Sequence, residues 1–313
     1  MGETMSKIAF IFPGQGSQYV GMGRDFYEKE EAAQKVFDEA AAVTGLDLKH
    51  ICFEENEELN QTMYTQIAMF TTELALLRTL QSKGFSADVY AGLSLGEYAA
   101  VVASGAMVQE DSYKIVQNRG RYMQEAYPTG GGMTAVLGAE QALVETVCAE
   151  TEGIVCVANY NCPGQIVISG EKGAVDAAAA ELTKRGVKRC LSLKVSGPFH
   201  SPLLTGAGEL LRKDLEQLLL KDPEPSYLSN VTADHVTKKE EITDLLARQV
   251  SSSVRWQQCV ERMLSEGVTK FVEIGPGKTL SGFMKRIDPS KKVASLEKYE
   301  DLAGVIEYLQ AEE

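Results

Sequence analysis

Residues 8–12 (Ile-Ala-Phe-Ile-Phe) are apolar without interruption and stop at Pro13-Gly14. So short an unbroken run predicts a strand buried on both faces, with a loop at its end. Helical patterns follow over 25–43 and 65–83, the second stopping at Gly84. Residues 88–92 (DVYAG) predict a second buried strand. The stretch after it, LGEYAAVVASGA, reads as a helix of small residues able to pack tightly on a sheet. Residues 110–126 read as a longer amphipathic helix. Strands and helices in this alternation predict a parallel sheet covered on both faces.

The pattern changes at Pro128-Thr129-Gly130-Gly131-Gly132. Predicted strands at 133–138, 154–161, 165–170 and 187–195 are interleaved with helices at 140–150 and 174–186. The order βαββαβ is that of a ferredoxin-like unit. Turn sequences bound it on both sides, the second being Ser196-Gly197-Pro198. The reading is therefore an α/β protein in which a small domain, 129–196, is inserted into a large one, 1–128 and 197–313. The large domain resumes with helices over 203–221 and 243–265, a strand at 270–277, a helix at 279–287 and a last strand at 291–296. No repeat recurs at a fixed period.

Composition narrows the class. The chain has 313 residues, 44% of them hydrophobic and 24% charged, enough apolar content for one large or two modest domains. Lys and Arg number 31 against 44 Asp and Glu, a net charge of −13. That charge argues against non-specific nucleic-acid binding and against an anionic membrane surface. No run approaches the ~18 apolar residues of a membrane helix. The N-terminus lacks the shape of a secretory signal, although Met1–Ser6 formally fits an N-myristoylation pattern; a cytoplasmic location is expected. The six cysteines include no CxxC pair, and three histidines offer no zinc-ligand spacing. Buried free thiols are expected rather than disulfides, and no metal or cofactor.

Gly92-Leu93-Ser94-Leu95-Gly96 is a GxSxG motif between a predicted strand and a predicted helix. The sharp strand-to-helix turn of a nucleophile elbow needs that context. Its glycines suit a turn where backbones approach too closely for side chains. Ser94 at a helix N-terminus would sit where the macrodipole favours developing negative charge. The alternative is a glycine-rich cap with Ser94 capping the helix. The available bases are His50, His200 and His235. His200 stands in Gly197-Pro198-Phe199-His200-Ser201-Pro202, a loop stiffened by two prolines between the two domains, and is the preferred partner. His50 lies in a charged stretch and His235 in a predicted loop. Pro13-Gly14-Gln15-Gly16-Ser17-Gln18 lacks the lysine and spacing of a phosphate loop. It reads either as a flexible loop or as a turn aiming a backbone N–H at Ser94.

In order, PGQGSQ, GLSLGEYAA, QNRGRYMQEA, GPFHSP and VEIGPGKTLSG resemble the malonyl-CoA:acyl carrier protein transacylases of type II fatty acid synthesis. The resemblance runs over about 7–296, and five ordered motifs are far more specific than one. It implies an α/β-hydrolase-like large domain carrying an inserted ferredoxin-like small domain. It makes Ser94 the nucleophile and His200 its general base and acid. It implies that the backbone carbonyl of Gln249 orients His200, in place of an aspartate. The N–H groups of Gln15 and Leu95 would form the oxyanion hole. Arg119 would pair with the free malonyl carboxylate, because a planar guanidinium offers two parallel hydrogen bonds that lysine cannot reproduce. Taken alone, Arg119 reads as a solvated helix charge; Arg121, two residues on, should point elsewhere. Phe199 resembles the loop of malonyl-selective enzymes, its ring crowding an α-methyl group. Leu93 departs from the many relatives with histidine there.

The implied reaction is ping-pong transfer from malonyl-CoA to acyl carrier protein, by a monomer without cofactor. The competing readings are a polyketide acyltransferase, an acyl hydrolase, a general serine esterase, and a carrier-binding module with a dead site. Both implied partners are acidic, so a basic rim must offset the overall charge. The candidates are Lys184, Arg185, Lys188 and Arg189 near the end of the small domain, and Lys278, Lys285 and Arg286 after the GPG turn. Lys188, Arg189, Lys285 and Arg286 are the preferred carrier-docking residues.

Overall fold

A computed structural model describes residues 6–195 and 197–311. The Met1–Ser6 motif, Ser196 and the last two residues fall wholly or partly outside that range. The strands are β1 (Lys7–Phe12), β2 (Val89–Gly92), β3 (Gly131–Leu137), β4 (Val155–Cys162), β5 (Gln165–Glu171), β6 (Arg189–Ser192), β7 (Tyr227–Leu228), β8 (His235–Val236), β9 (Val268–Ile274) and β10 (Val293–Leu296). Helices up to the small sheet are α1 (Arg24–Lys29), α2 (Glu31–Thr44), α3 (Leu48–Phe53), α4 (Thr62–Ser82), α5 (Gly96–Ala103) and α6 (Gln109–Ala126). The rest are α7 (Gln141–Glu150), α8 (Lys172–Lys184), α9 (Thr205–Leu215), α10 (Lys239–Gln249), α11 (Trp256–Ser265), α12 (Thr279–Ile287) and α13 (Asp301–Gln310).

The larger sheet has the order β10-β9-β1-β2-β7-β8. Its strands are parallel, as expected, except for the short antiparallel β7–β8 pair at one edge. Strand β1 shows why both faces must be covered. Phe10 and Phe12 join the core under α2, α4, α5 and α6, while Ala9 and Ile11 join the one formed with α11 and α12. All four are fully buried. The smaller sheet is antiparallel, with the order β4-β5-β3-β6. Val136, Ile166 and Ile168 pack beneath α7 and α8. Met133, Ala135 and Val167, on the opposite face, join the main core beside the cleft.

Several expected elements change. The helix over 25–43 breaks at Glu30, whose backbone is extended, leaving α1 and α2. Helix α4 is buried around most of its circumference, because α2, α5 and α6 enclose it. The helix over 203–221 ends at Leu215 and the strand over 187–195 is only four residues long. Helices α3 and α13 and the two-residue strands β7 and β8 were not anticipated. Cys52, Cys148, Cys162 and Cys259 are buried free thiols as expected, whereas Cys156 and Cys190 are half-buried. No helix among the described residues is long and apolar enough to cross a membrane.

Candidate active site

The turn from β2 into α5 carries Ser94 at its apex. Its φ of 54° lies in the left-handed region, a conformation that costs a non-glycine residue about 1–3 kcal/mol. The flanking glycines are dictated by contact. A Cβ on Gly92 would lie 1.9 Å from the carbonyl carbon of Gly96, and one on Gly96 would lie 2.3 Å from the Phe12 oxygen. The helix begins only at Gly96, so Ser94 does not cap it; the capping alternative is incorrect. The Ser94 side chain instead meets His200, with Oγ 2.8 Å from Nε2.

His200 also has a left-handed φ, 58°. Its Nδ1 lies 2.8 Å from the backbone oxygen of Gln249, which ends α10. A carbonyl only accepts, so Nδ1 carries the proton and Nε2 is left to accept from Ser94. Burial pushes the imidazole down to about 4; the nearby Arg119 charge acts in the same direction, and the bond to Gln249 opposes both. His200 is therefore a neutral base at pH 7. His50 is on the surface beside Glu54. His235 lies in β8 rather than in a loop, tied to Ser226 and Glu266.

Arg119 projects from α6 and is almost fully buried. One Nη2 donates to Ser94 Oγ at 3.1 Å and to Gln249 Oε1 at 2.9 Å, and Nη1 donates to Gln66 Oε1 at 2.7 Å. The solvated alternative for Arg119 is thereby corrected. None of these partners is charged. Arg121, by contrast, is exposed and lies over the Tyr122 ring. Gln15, Leu95, Arg119 and Phe199 all line one cavity of about 460 Å³ with Ser94 and His200. Its other wall comes from the small sheet, through Met133, Asn161 and Val167, and from Leu193 just past β6. The backbone N–H groups of Gln15 and Leu95 make no hydrogen bond among the described residues. Leu93 fills space beside the elbow, and a Cβ on Gly14 would meet its carbonyl oxygen at 2.7 Å.

Sequence reasoning missed Asn230. Its Oδ1 accepts the Ser94 N–H at 2.6 Å, and its Nδ2 donates to the Gly92 carbonyl at 2.7 Å. Both sides of the elbow are thus held by one amide. Glu97 and Gln66 were also overlooked as parts of the site. The LGEYAA motif contained Glu97, but nothing local marked a carboxylate that becomes fully buried.

The basic candidates separate. Lys184 and Arg185 are already paired with Glu181, and Arg185 also with Glu150. Lys188, Arg189, Lys278, Lys285 and Arg286 are all exposed and make no ion pair among the described residues. Arg286 lies beside the Cys162 thiol. No cluster of metal-ligating side chains occurs among the described residues.

Residues 9–305 match the family model for the acyl transferase domain. The malonyl CoA-acyl carrier protein transacylase of Bacillus subtilis (strain 168) is 43% identical, covering 98% of this chain and 99% of that protein. The crystal structure of MCAT from Streptococcus pneumoniae is 46% identical, with a TM-score of 0.93, covering 96% of this chain and 99% of that one. A malonyl-transacylase solved in complex with its type II PKS acyl-carrier protein is 37% identical, with a TM-score of 0.93, covering 96% of this chain and all of that one. With the serine, histidine and arginine assembled on this fold, the chain belongs to the malonyl CoA-acyl carrier protein transacylase family of acyl transferases.

Proposed function

We propose that the protein transfers a malonyl group from malonyl-CoA to the phosphopantetheine thiol of acyl carrier protein, through a malonyl ester on Ser94. The observation that carries this reading is the meeting of two groups at one atom: His200 Nε2 at 2.8 Å and Arg119 Nη2 at 3.1 Å from Ser94 Oγ. His200 takes the Ser94 proton as Oγ attacks the thioester carbonyl. The N–H groups of Gln15 and Leu95 receive the tetrahedral oxyanion. The C–S bond then breaks, and His200 returns the proton to the departing coenzyme A thiolate. In the second half-reaction, His200 takes the carrier thiol's proton, sulfur attacks the ester, and Ser94 recovers its proton as the C–O bond breaks. The thioester brings its own activated acyl group, so the chemistry requires no metal or resident cofactor.

Arg119 turns from Ser94 Oγ to the malonyl carboxylate, which explains a buried guanidinium bonded to neutral groups only. Phe199 narrows the same cavity against an α-methyl substituent. The large sheet with its elbow corresponds to an α/β-hydrolase-like domain, 1–128 and 197–313. The small sheet order, with its two covering helices, is that of an inserted ferredoxin-like domain, 129–196. A complete site within one chain fits a monomer. Carrier protein docks at the basic positions Lys188, Arg189, Lys285 and Arg286.

Intact-protein mass spectrometry tests the reaction. Mixing with malonyl-CoA should add one malonyl mass, and a phosphopantetheinylated carrier should then remove it. Ser94→Ala should show neither change; labelling that persists in this variant would place the nucleophile elsewhere. Arg119→Ala should reduce malonyl loading by on the order of 100-fold while affecting acetyl loading far less, as expected for loss of a charge-assisted pair. Equal losses would remove Arg119 from carboxylate recognition.

A further inference from the structure

Glu97 is fully buried on α5, one turn behind the nucleophile. Its Oε2 accepts two hydrogen bonds, from Gln249 Nε2 at 2.6 Å and from the Asn230 N–H at 3.1 Å. Gln249 is the residue whose carbonyl orients His200, and Asn230 is the residue that clamps the elbow. The Gln249 amide has a further bond on each side. Its Nε2 also donates to the Ser94 carbonyl at 2.8 Å, and its Oε1 accepts from Arg119. One amide therefore bridges a buried carboxylate and a buried guanidinium.

We infer that Glu97 is a positioning residue that holds Gln249 and Asn230 in register and acts, across the Gln249 amide, as the counter-charge to Arg119 until malonyl arrives. The carboxylate orients the amide with nitrogen toward Glu97 and oxygen toward Arg119. It also offsets part of the guanidinium charge. When the malonyl carboxylate reaches Arg119, a second anion enters the same low-dielectric site. The two anions compete, so where Glu97 is ionised, malonyl loading is coupled to its uptake of a proton from solvent. Glu97 Oε1 is buried and unpaired among the described residues, and the Ser229 side chain beside the carboxyl offers an oxygen to receive the proton once it is there.

Burial pushes the Glu97 carboxyl up to about 7, with the bonds from Gln249 and Asn230 and the charge of Arg119 opposing. The groups facing it do not titrate in that range. Arg119 on α6 stays cationic. Tyr98 on α5, Tyr227 on β7 and the Cys259 thiol on α11 are all pushed upward by burial and stay neutral. His200 is held down at about 4. Ionised Glu97 therefore weakens malonyl binding above neutrality, and neutral Glu97 favours it below.

This inference rests on Arg119 holding the malonyl carboxylate. The test compares malonyl-CoA with acetyl-CoA, which shares the coenzyme A phosphates but lacks the carboxylate. In the unmodified protein, the ratio of malonyl-CoA KM to acetyl-CoA KM should rise on the order of fivefold from pH 6 to pH 8. Glu97→Gln keeps an acceptor for both N–H groups but removes the charge; its ratio should be flat with pH. Glu97→Ala also removes the acceptor and should lower kcat with both thioesters further than Glu97→Gln does. If Glu97→Ala does not fold, the Glu97→Gln ratio decides alone. A flat ratio in the unmodified protein, or the same slope in Glu97→Gln, overturns the coupling while leaving the Arg119 assignment intact. Equal malonyl and acetyl losses in Arg119→Ala would instead overturn the assignment on which it rests.

Discussion

The Nδ1 of His200 lies 2.8 Å from the backbone oxygen of Gln249, where an acyl-transfer triad would have a carboxylate. A neutral carbonyl fixes the tautomer but does little to stabilise an imidazolium. Burial and Arg119 act against that cation as well, which is why the ring is held at about 4.

The first prediction concerns pH. The acid limb of acetyl-CoA loading should fall near pH 4 rather than near the ordinary histidine value, because the free base survives down to the lowered pKa. Acetyl-CoA is used because malonyl loading also responds to Glu97. The stability effect has a definite sign. An unfolded histidine takes a proton near pH 6.5, which the folded one refuses until about 4. This group therefore costs stability as pH falls through that window. Rapid-quench labelling between pH 3.5 and 8 checks the rate; a limb centred near the ordinary value would mean that the ring is solvated in the working enzyme.

Asn230→Ala should lower kcat and melt earlier. The variant leaves the Ser94 N–H and the Gly92 carbonyl without their partner, a loss of about 1–3 kcal/mol for a buried group. Asn230→Asp keeps the acceptor for Ser94 but not the donor to Gly92, and should fall between. Thermal melts with single-turnover loading measure both effects, and a variant that loads at the normal rate would show that the elbow holds itself.

Phe199→Ala should admit methylmalonyl-CoA. The ring is 6% exposed and lines the cavity, so its removal opens space beside the acyl group. Selectivity for malonyl over methylmalonyl should drop about tenfold, the scale of one methyl contact in a pocket. Competition between the two thioesters, read by mass of the acyl-enzyme, gives the ratio directly. Unchanged selectivity would assign the exclusion to another wall of the cavity.

Reversing Lys188 and Arg189 to glutamate should raise the carrier KM several-fold and leave Ser94 loading nearly intact. Both side chains are exposed where the chain enters β6, and Leu193, just past its other end, lines the cavity. Four residues of strand span about 13 Å, within reach of a docked carrier. The effect should shrink with added salt, as charge steering does. A carrier KM that does not move would put docking elsewhere on the rim.

Much of this protein was legible locally. Residues 8–12 and 89–92 read as buried strands, because short apolar runs that stop at turn residues are too brief for helices. Gly92 and Gly96 flank Ser94 because chain segments touch there. Such signals are short in range, and the sequence carries them whole. The break at Glu30, the all-round burial of α4 and the two-residue strands β7 and β8 were not readable, since each depends on neighbours supplied from elsewhere in the chain.

The site divides in the same way. Local sequence singled out Ser94 and His200; Arg119 and the roles of all three came from a family resemblance. Only the tertiary structure decided that Asn230 holds the elbow, or that Glu97, three residues past the nucleophile, is shut away from water and bonded to Gln249. An asparagine in a loop and a glutamate on a helix look like surface residues in a linear reading. Their roles follow from desolvation and from partners more than a hundred residues away, neither of which a local pattern encodes.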